Sequence, residues 1–287
     1  MSRARKSTPA VAVVTDSTAY LPSGSAQLLG VQIVPLQVIV GGVVRAEGEE
    51  IGPSEVAAVL HRGQSVSTSR PSPSLFAAAY HRAFAAGATS IVSVQLSAAM
   101  SGTVDAARLA AADVGGDIRV IDSRSVGMGM GFAVLAAADA ALAGADVAAV
   151  VETVTQTLGR TQAIFYVDTL EYLRRGGRIG AARAMVGSAL AVKPLLCLRD
   201  GRIEPLERVR TASRAIARLE ELAASMAADE PVSIAVHHLA AAPRAAEVVE
   251  ALETRLPKAG DIITTEVGAV VGAHTGPGML AVVVCTR

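Results

Sequence analysis

Ile91-Val92-Ser93-Val94-Gln95, then Thr103 to Asp113, then Ile118-Arg119-Val120-Ile121 form a short apolar run, an alanine-rich segment and a second short apolar run. The outer two have strand length and the middle one is long enough for about three helical turns, so the stretch reads strand, helix, strand. Strands joined by a helical crossover lie parallel, which places the chain among α/β proteins. Upstream, Val11 to Thr15 is another β-rich run, and its exit, Asp16-Ser17-Thr18, offers helix-capping side chains, as expected of a first strand-to-helix turn. Val31 to Val44 is rich in Val and Ile and broken at Gly41-Gly42, which predicts two strands or a hairpin before a helix starting near Pro53-Ser54. A helix over Leu75 to Ala86 leads into the Ile91 strand.

Downstream, helices over 131–143 and 146–158 carry the chain to Ile164-Phe165-Tyr166-Val167, where a second half begins, with the boundary at 160. Leu170 to Arg174 reads as helix, Gly176-Gly177 breaks it, and Ala181 to Leu190 is helical again. Val192 to Leu198, Asp200-Gly201 and Ile203 to Val209 make the clearest hairpin in the chain. A helix from Ser213 to Ala227, a strand at Val232 to His237, a helix from Pro243 to Arg255 and strands at Ile262 to Val267 and Leu280 to Cys285 complete the pattern.

The 287 residues suffice for two ordinary cores. Aromatic residues are only 3% and Trp is absent, so those cores must be built from Ala, Val, Leu and Ile. Lys plus Arg equals Asp plus Glu at 26 each, which removes the basic field that nucleic acid requires. Arg3, Arg5 and Lys6 precede an apolar run that Asp16 cuts short, so no signal-peptide core forms and a cytoplasmic protein is expected. The apolar stretch Phe132 to Val151 contains Asp139 and Asp146, whose insertion into lipid would cost about 2.5–3.5 kcal/mol each. It reads as a soluble helix, not a membrane span. Cys197 and Cys285 lack CxxC or His-rich surroundings, and neither a metal site nor a disulfide is expected.

Three segments combine hydroxyls, glycines and helix starts. Ser67-Thr68-Ser69-Arg70-Pro71-Ser72-Pro73 precedes the Leu75 helix, and Met100-Ser101-Gly102-Thr103 precedes the Thr103 helix. Each reads either as a helix cap or as half of an anion grip, since hydroxyls and free N–H groups meet at a positive helix end. His274-Thr275-Gly276-Pro277-Gly278 reads as a turn between two strands, its imidazole either solvated or facing an anion. Arg174, Arg175, Arg178 and Arg183 surround Gly176-Gly177, with Arg208 and Arg210 after the hairpin. They could hold a carboxylate or phosphate, or equally form an exposed helix end paired with Glu171 and Glu207.

A phosphotransferase or phosphatase using Asp16 as nucleophile is the alternative reading, though no second aspartate follows two residues on. Asp16 and Asp122, each followed by Ser at a strand exit, read either as caps of the following helix or as ligand contacts. No GxGxxG follows the first strand and no GxSxG is present, and Gly127 to Gly131 suits helix packing. His237-His238 has no acidic or Cys neighbours and is assigned no metal.

Taken in order, Val14-Thr15-Asp16-Ser17-Thr18-Ala19, Thr68 to Pro73, Ser101-Gly102-Thr103, Val120-Ile121-Asp122-Ser123, Leu170 to Ile179, Lys193-Pro194-Leu195, Asp200-Gly201 and His274 to Gly278 resemble the DegV family over nearly the whole chain. The resemblance implies two α/β domains, a mostly parallel Rossmann-like sheet over 1–160 and a mixed sheet over 161–287. It implies a carrier without catalytic activity or cofactor, which buries one long-chain fatty acid. The carboxylate would be held by Thr68, Ser69, Ser101 and the Gly102 N–H. His274, Arg178 and Arg210 would face the polar mouth and a partner fatty acid kinase. Transient membrane contact is compatible with that role. Arg70 stands where the family commonly has Gln, a departure that would add a charge at the mouth.

Overall fold

The first strand, β1 (Val11–Asp16), buries Val11 and Val13 on one side of its sheet and Val14 on the other. A strand apolar on both faces needs a helical layer on each, and the chain provides both. The computed structural model describes residues 9–185, 193–227 and 230–287. After β1 the N-terminal half runs α1 (Ser25–Leu29), β2 (Gln32–Val34), β3 (Gln37–Val40), β4 (Val43–Ala46), α2 (Pro53–His61), β5 (Val66–Ser69) and α3 (Pro73–Ala85). It continues through β6 (Ser90–Gln95), α4 (Thr103–Val114), β7 (Asp117–Asp122), α5 (Met128–Leu142) and α6 (Val147–Gly159). The second half runs β8 (Thr161–Tyr166), α7 (Glu171–Arg175), a 3-10 turn at Gly180–Met185, β9 (Lys193–Arg199), β10 (Arg202–Val209) and α8 (Ala212–Ala227). β11 (Val232–His238), α9 (Ala242–Arg255), β12 (Ile263–Glu266), α10 (Ala269–Thr275) and β13 (Leu280–Thr286) close it.

The N-terminal domain is built on a parallel sheet in the order β2-β1-β6-β7. α5 and α6 cover the face carrying Val11, Val13, Val92 and Val94, while α3 and α4 cover Val14 and Ile91. The glycines at the start of α5 serve packing: a Cβ on Gly131 would stand 2.8 Å from the Ala19 carbonyl oxygen. Chain direction across the sheet reverses between β1 and β6, the place where open α/β sheets form a crevice at their carboxyl ends. There Asp16 closes the gap, its Oδ2 accepting the Leu96 N–H at 2.8 Å.

The C-terminal domain has a mixed six-stranded sheet, β10-β9-β8-β13-β11-β12, antiparallel except for β11 and β12. Its strands alternate between two faces, apart from an irregularity in β10 between Pro205 and Glu207. Ile164, Tyr166, Val282, Val284, Ile234 and Val236 point to one face and are sealed by α8 and α9. Ala163, Phe165, Ala281, Val283 and His237 belong to the other face, towards the N-terminal domain.

Three local expectations need correction. The Val31 to Val44 region holds three strands, of which β2 joins the parallel sheet while β3 and β4 form a hairpin in a separate sheet, β4-β3-β5. β5 was not anticipated, because Val66-Ser67-Thr68-Ser69 has almost no apolar signal; pairing with β3 makes it a strand. His274 lies in the last turn of α10 and not in a turn between strands. The helix expected over Ala181 to Leu190 is a 3-10 turn as far as Met185, and its remainder, like Val192, lies outside the described residues. No described helix is long and apolar enough to cross a membrane.

Candidate functional site

Between the inner face of the mixed sheet and the N-terminal domain lies a cavity enclosing about 940 Å³ of unfilled space, its open mouth included. Phe165 and Ala281 form one cross-strand pair on its wall, and Ala163 and Val283 the next pair inward. Val270 and Val271 of α10 cover it from above, with Leu36 and Leu96 from the N-terminal domain. Small side chains at 163 and 281 leave the space open. At the deep end Met128 and Phe132 of α5 pack against Val283 and Cys285 and close it. Both cysteines are buried and free.

Polar groups gather at the opposite end. Thr68, Ser69, Arg70, Ser101, Arg178 and His274 all line the mouth, whereas Gly102 lies just behind Ser101 and Arg210 is exposed beyond β10, away from the cavity wall. No Asp or Glu lines the cavity among the described residues. Thr68 Oγ1 lies 2.8 Å from His274 Nε2, and Ser101 Oγ lies 2.8 Å from Thr103 Oγ1. The other imidazole nitrogen, Nδ1, is buried without a hydrogen-bond partner among the described residues. It faces Gly176, where a Cβ would collide with it. Burial, helped by the charge of Arg178, pushes the His274 pKa down to about 4, so the ring is neutral near pH 7.

The loop carrying Ser101 is braced from three sides. Asp122 Oδ1 accepts the N–H groups of Ala98 and Arg124, so this carboxylate holds the loop and caps no α-helix. Ser97 Oγ donates to the Gly201 carbonyl at the tip of the β9–β10 hairpin, 2.7 Å away. Arg178 Nε donates to the Met100 carbonyl and its Nη1 to that of Gly176. Arg174 and Arg175 instead pair with Glu171, and Glu207, expected to pair with the hairpin arginines, pairs with Arg218 of α8.

Two residues that sequence reasoning passed over set the position of α10. Glu47 is 4% exposed; its carboxylate accepts from Ser17 Oγ at 2.5 Å, Val270 N at 2.7 Å and Tyr20 OH at 3.2 Å. Tyr20 OH in turn accepts the Val271 N–H at 3.2 Å. Together they satisfy two of the open N–H groups at the start of α10 from the opposite domain. Gly268 permits this approach, since a Cβ there would strike both side chains. Tyr20 is held in the left-handed region, φ 47°, a conformation that a bulky residue keeps only where its surroundings impose it. Burial raises the Glu47 pKa to about 7 and that of Asp16 to about 6. Asp16 is fully buried and accepts from Thr18 N, Thr18 Oγ1 and Leu96 N. His237 reaches the deep end of the cavity wall, its Nε2 accepting the Met128 N–H at 2.9 Å and its Nδ1 lying 2.8 Å from Thr265 Oγ1.

Comparison with known proteins agrees with this arrangement. The family model described as "Uncharacterised protein, DegV family" matches residues 10–287. The chain is 54% identical to a DegV domain-containing protein of Streptomyces coelicolor over 96% of its length and 99% of the relative's. It is 39% identical to one of Mycobacterium tuberculosis, covering 96% of both. Among solved structures, the fatty-acid-binding DegV family protein of Thermus thermophilus superposes with a TM-score of 0.92 at 32% identity, covering 96% of this chain and 99% of that one. DegV of Bacillus subtilis, a fatty-acid-binding protein, gives 0.88 at 31% identity with the same coverage. With a family match over almost every residue, and a parallel and a mixed sheet on either side of a cavity, the chain belongs to the DegV family.

Proposed function

We propose that this protein is a carrier that binds one long-chain fatty acid, its tail in the cavity and its carboxylate held by Thr68, Ser69, Ser101 and the Gly102 N–H. The observation that carries this reading is a mostly apolar cavity whose described lining gathers Thr68, Ser69, Arg70, Ser101, Arg178 and His274 at one end. The polar groups deeper in, Tyr20 and His237, spend their hydrogen bonds on Glu47, Met128 and Thr265. The Thermus and Bacillus relatives, described as fatty-acid-binding, support the same ligand class.

The chemistry follows from the neutral imidazole. His274 Nε2–H donates to Thr68 Oγ1, which frees the threonine hydrogen for a carboxylate oxygen, and Ser101 supplies a second hydroxyl. Each methylene removed from water contributes about 0.8 kcal/mol, so a chain of some fourteen gains on the order of 10 kcal/mol before ordering costs. The hydroxyls orient the head, and the tail supplies affinity. A carboxylate held this way beside Arg178 would be accessible for phosphorylation by a partner kinase, for which Arg210 is an exposed contact outside the cavity. In this reading the chain has no catalysis of its own, and Asp16 is a structural brace. The two domains divide after residue 160, between α6 and β8.

Native mass spectrometry of the purified protein, followed by solvent extraction and lipid analysis, tests the proposal. It expects a mass increment of one fatty acid per chain. Ligand-free protein that takes up no fatty acid, and hydrolyses a phosphate ester with magnesium, would overturn it.

A further inference from the structure

We propose that Arg70 reads the charge of the bound headgroup, pairing with an anionic head at the mouth and so selecting ionised over neutral single-chain lipids. This rests on the lipid-binding reading above and assigns to one residue a selectivity that the hydroxyls cannot supply. A neutral hydroxyl can donate to an alcohol oxygen as well as to a carboxylate, so Thr68 and Ser101 accept either head and add no charge–charge attraction for the ionised one.

Arg70 bridges the two hydroxyl-bearing segments. It follows Ser69 at the end of β5, and its guanidinium lies on the Cα of Gly102 at the start of α4: a Cβ on Gly102 would stand 2.5 Å from Arg70 Nη1 and 3.1 Å from its Cδ. Glycine at 102 is what lets the side chain lie flat there, beside Ser101. The side chain lines the mouth, is exposed, and has no ion pair or hydrogen bond to any described residue.

Other arginines on this surface differ. Arg174 and Arg175 are paired with Glu171, and Arg178 has Nε and Nη1 committed to backbone carbonyls. Arg70 therefore combines a full uncompensated charge with uncommitted N–H donors at the mouth. Arg70 and Arg178 both line the cavity and no Asp or Glu does among the described residues, so nothing acidic in that lining offsets their charge. An ionised head supplies that offset, and a charge-assisted hydrogen bond to a planar fork is stronger than one to a neutral hydroxyl.

The test is calorimetric titration of delipidated protein with hexadecanoate and with hexadecan-1-ol near pH 8, where the free carboxyl is ionised, at low and high salt. Wild type should prefer the carboxylate, and its preference should shrink with salt. Arg70→Gln should reduce the ratio of the two affinities by about two- to fivefold, almost wholly through the carboxylate, with the salt effect lost as well. Arg70→Lys should fall between, and Arg70→Met should behave as Arg70→Gln. An unchanged ratio in Arg70→Gln, or a ratio retained by Arg70→Met, overturns the inference while leaving lipid binding intact. Wild-type protein that binds neither ligand overturns both readings together.

Discussion

Thr68 Oγ1 and His274 Nε2 lie 2.8 Å apart although 206 residues separate them, and this contact joins an edge strand of the small N-terminal sheet to the last turn of a C-terminal helix. It makes the two side chains one hydrogen-bonded unit at the mouth. Thr68→Ala and His274→Ala should each weaken fatty-acid affinity by about five- to tenfold. The double variant should be little worse than Thr68→Ala alone, because the imidazole acts through the threonine. Calorimetric titration of all four proteins reads the coupling, and additive losses would separate the two residues. Thr68→Ala combined with Ser101→Ala should lower lipid occupancy on native mass spectra with the fold retained.

Two buried imidazoles should be neutral in opposite tautomers. His237 accepts the Met128 N–H at Nε2, which puts its proton on Nδ1, facing Thr265. His274 carries its proton on Nε2 if Thr68 is to donate to a ligand. Burial is the main cause of a pKa near 4 for each, with repulsion from Arg178 adding to the shift at His274. Ring nitrogen shifts by NMR should therefore show two neutral rings with opposite protonation patterns at pH 7 and no titration until about pH 4. A midpoint close to the ordinary 6.5 for either ring would contradict the geometry.

The floor of the cavity should act as a chain-length stop. Ala163 faces Val283 on the wall, and Met128 and Phe132 stand behind that pair. Ala163→Leu fills space that the end of a long tail would occupy. At about 0.8 kcal/mol per methylene, losing two or three of them should cost an eighteen-carbon acid roughly tenfold or more in affinity and a twelve-carbon acid almost nothing. Competition between acids of different length measures this; equal loss at every length would place the tail elsewhere.

Glu47 should make stability fall with rising pH. Its pKa goes from an ordinary 4.5 to about 7 on folding, so between those values the native chain keeps a proton that the unfolded chain has released. Stability from this group is thus full below pH 4.5 and lost as pH rises through about 7, a change on the order of 3 kcal/mol. Asp16 adds a similar slope between 3.8 and about 6. Urea unfolding of wild type and Glu47→Gln at the two ends of the window should show the wild-type disadvantage growing with pH. Parallel pH profiles would mean that Glu47 is ionised throughout.

Much of this was legible in local pattern. The strand–helix–strand alternation from Ile91 to Ile121 is a periodicity that each segment carries by itself, and the parallel sheet follows from it. Asp200-Gly201 is likewise self-sufficient: both residues adopt positive φ, 48° and 75°, in the hairpin turn they suggest. β5 was invisible because its hydroxyl-rich residues become a strand only when β3 is beside them. α10 was missed because seven residues followed by Gly-Pro-Gly resemble a turn until Glu47 and Tyr20 cap them.

The sequence by itself determined the two-domain α/β class, the family and the short hydroxyl, glycine and arginine segments from which the mouth is built, since these depend on residue type and order. Tertiary structure alone decided that Thr68 meets His274, that Arg70 lies across Gly102 with its charge unpaired, and that Arg210 stands apart. It also decided that Glu47, one of several glutamates in a polar stretch, is buried as a cap between domains. The physical reason is that patterning reports which face of an element is buried. A cavity, a cross-domain cap or an uncompensated charge is instead fixed by what neighbours distant in sequence fill or leave open.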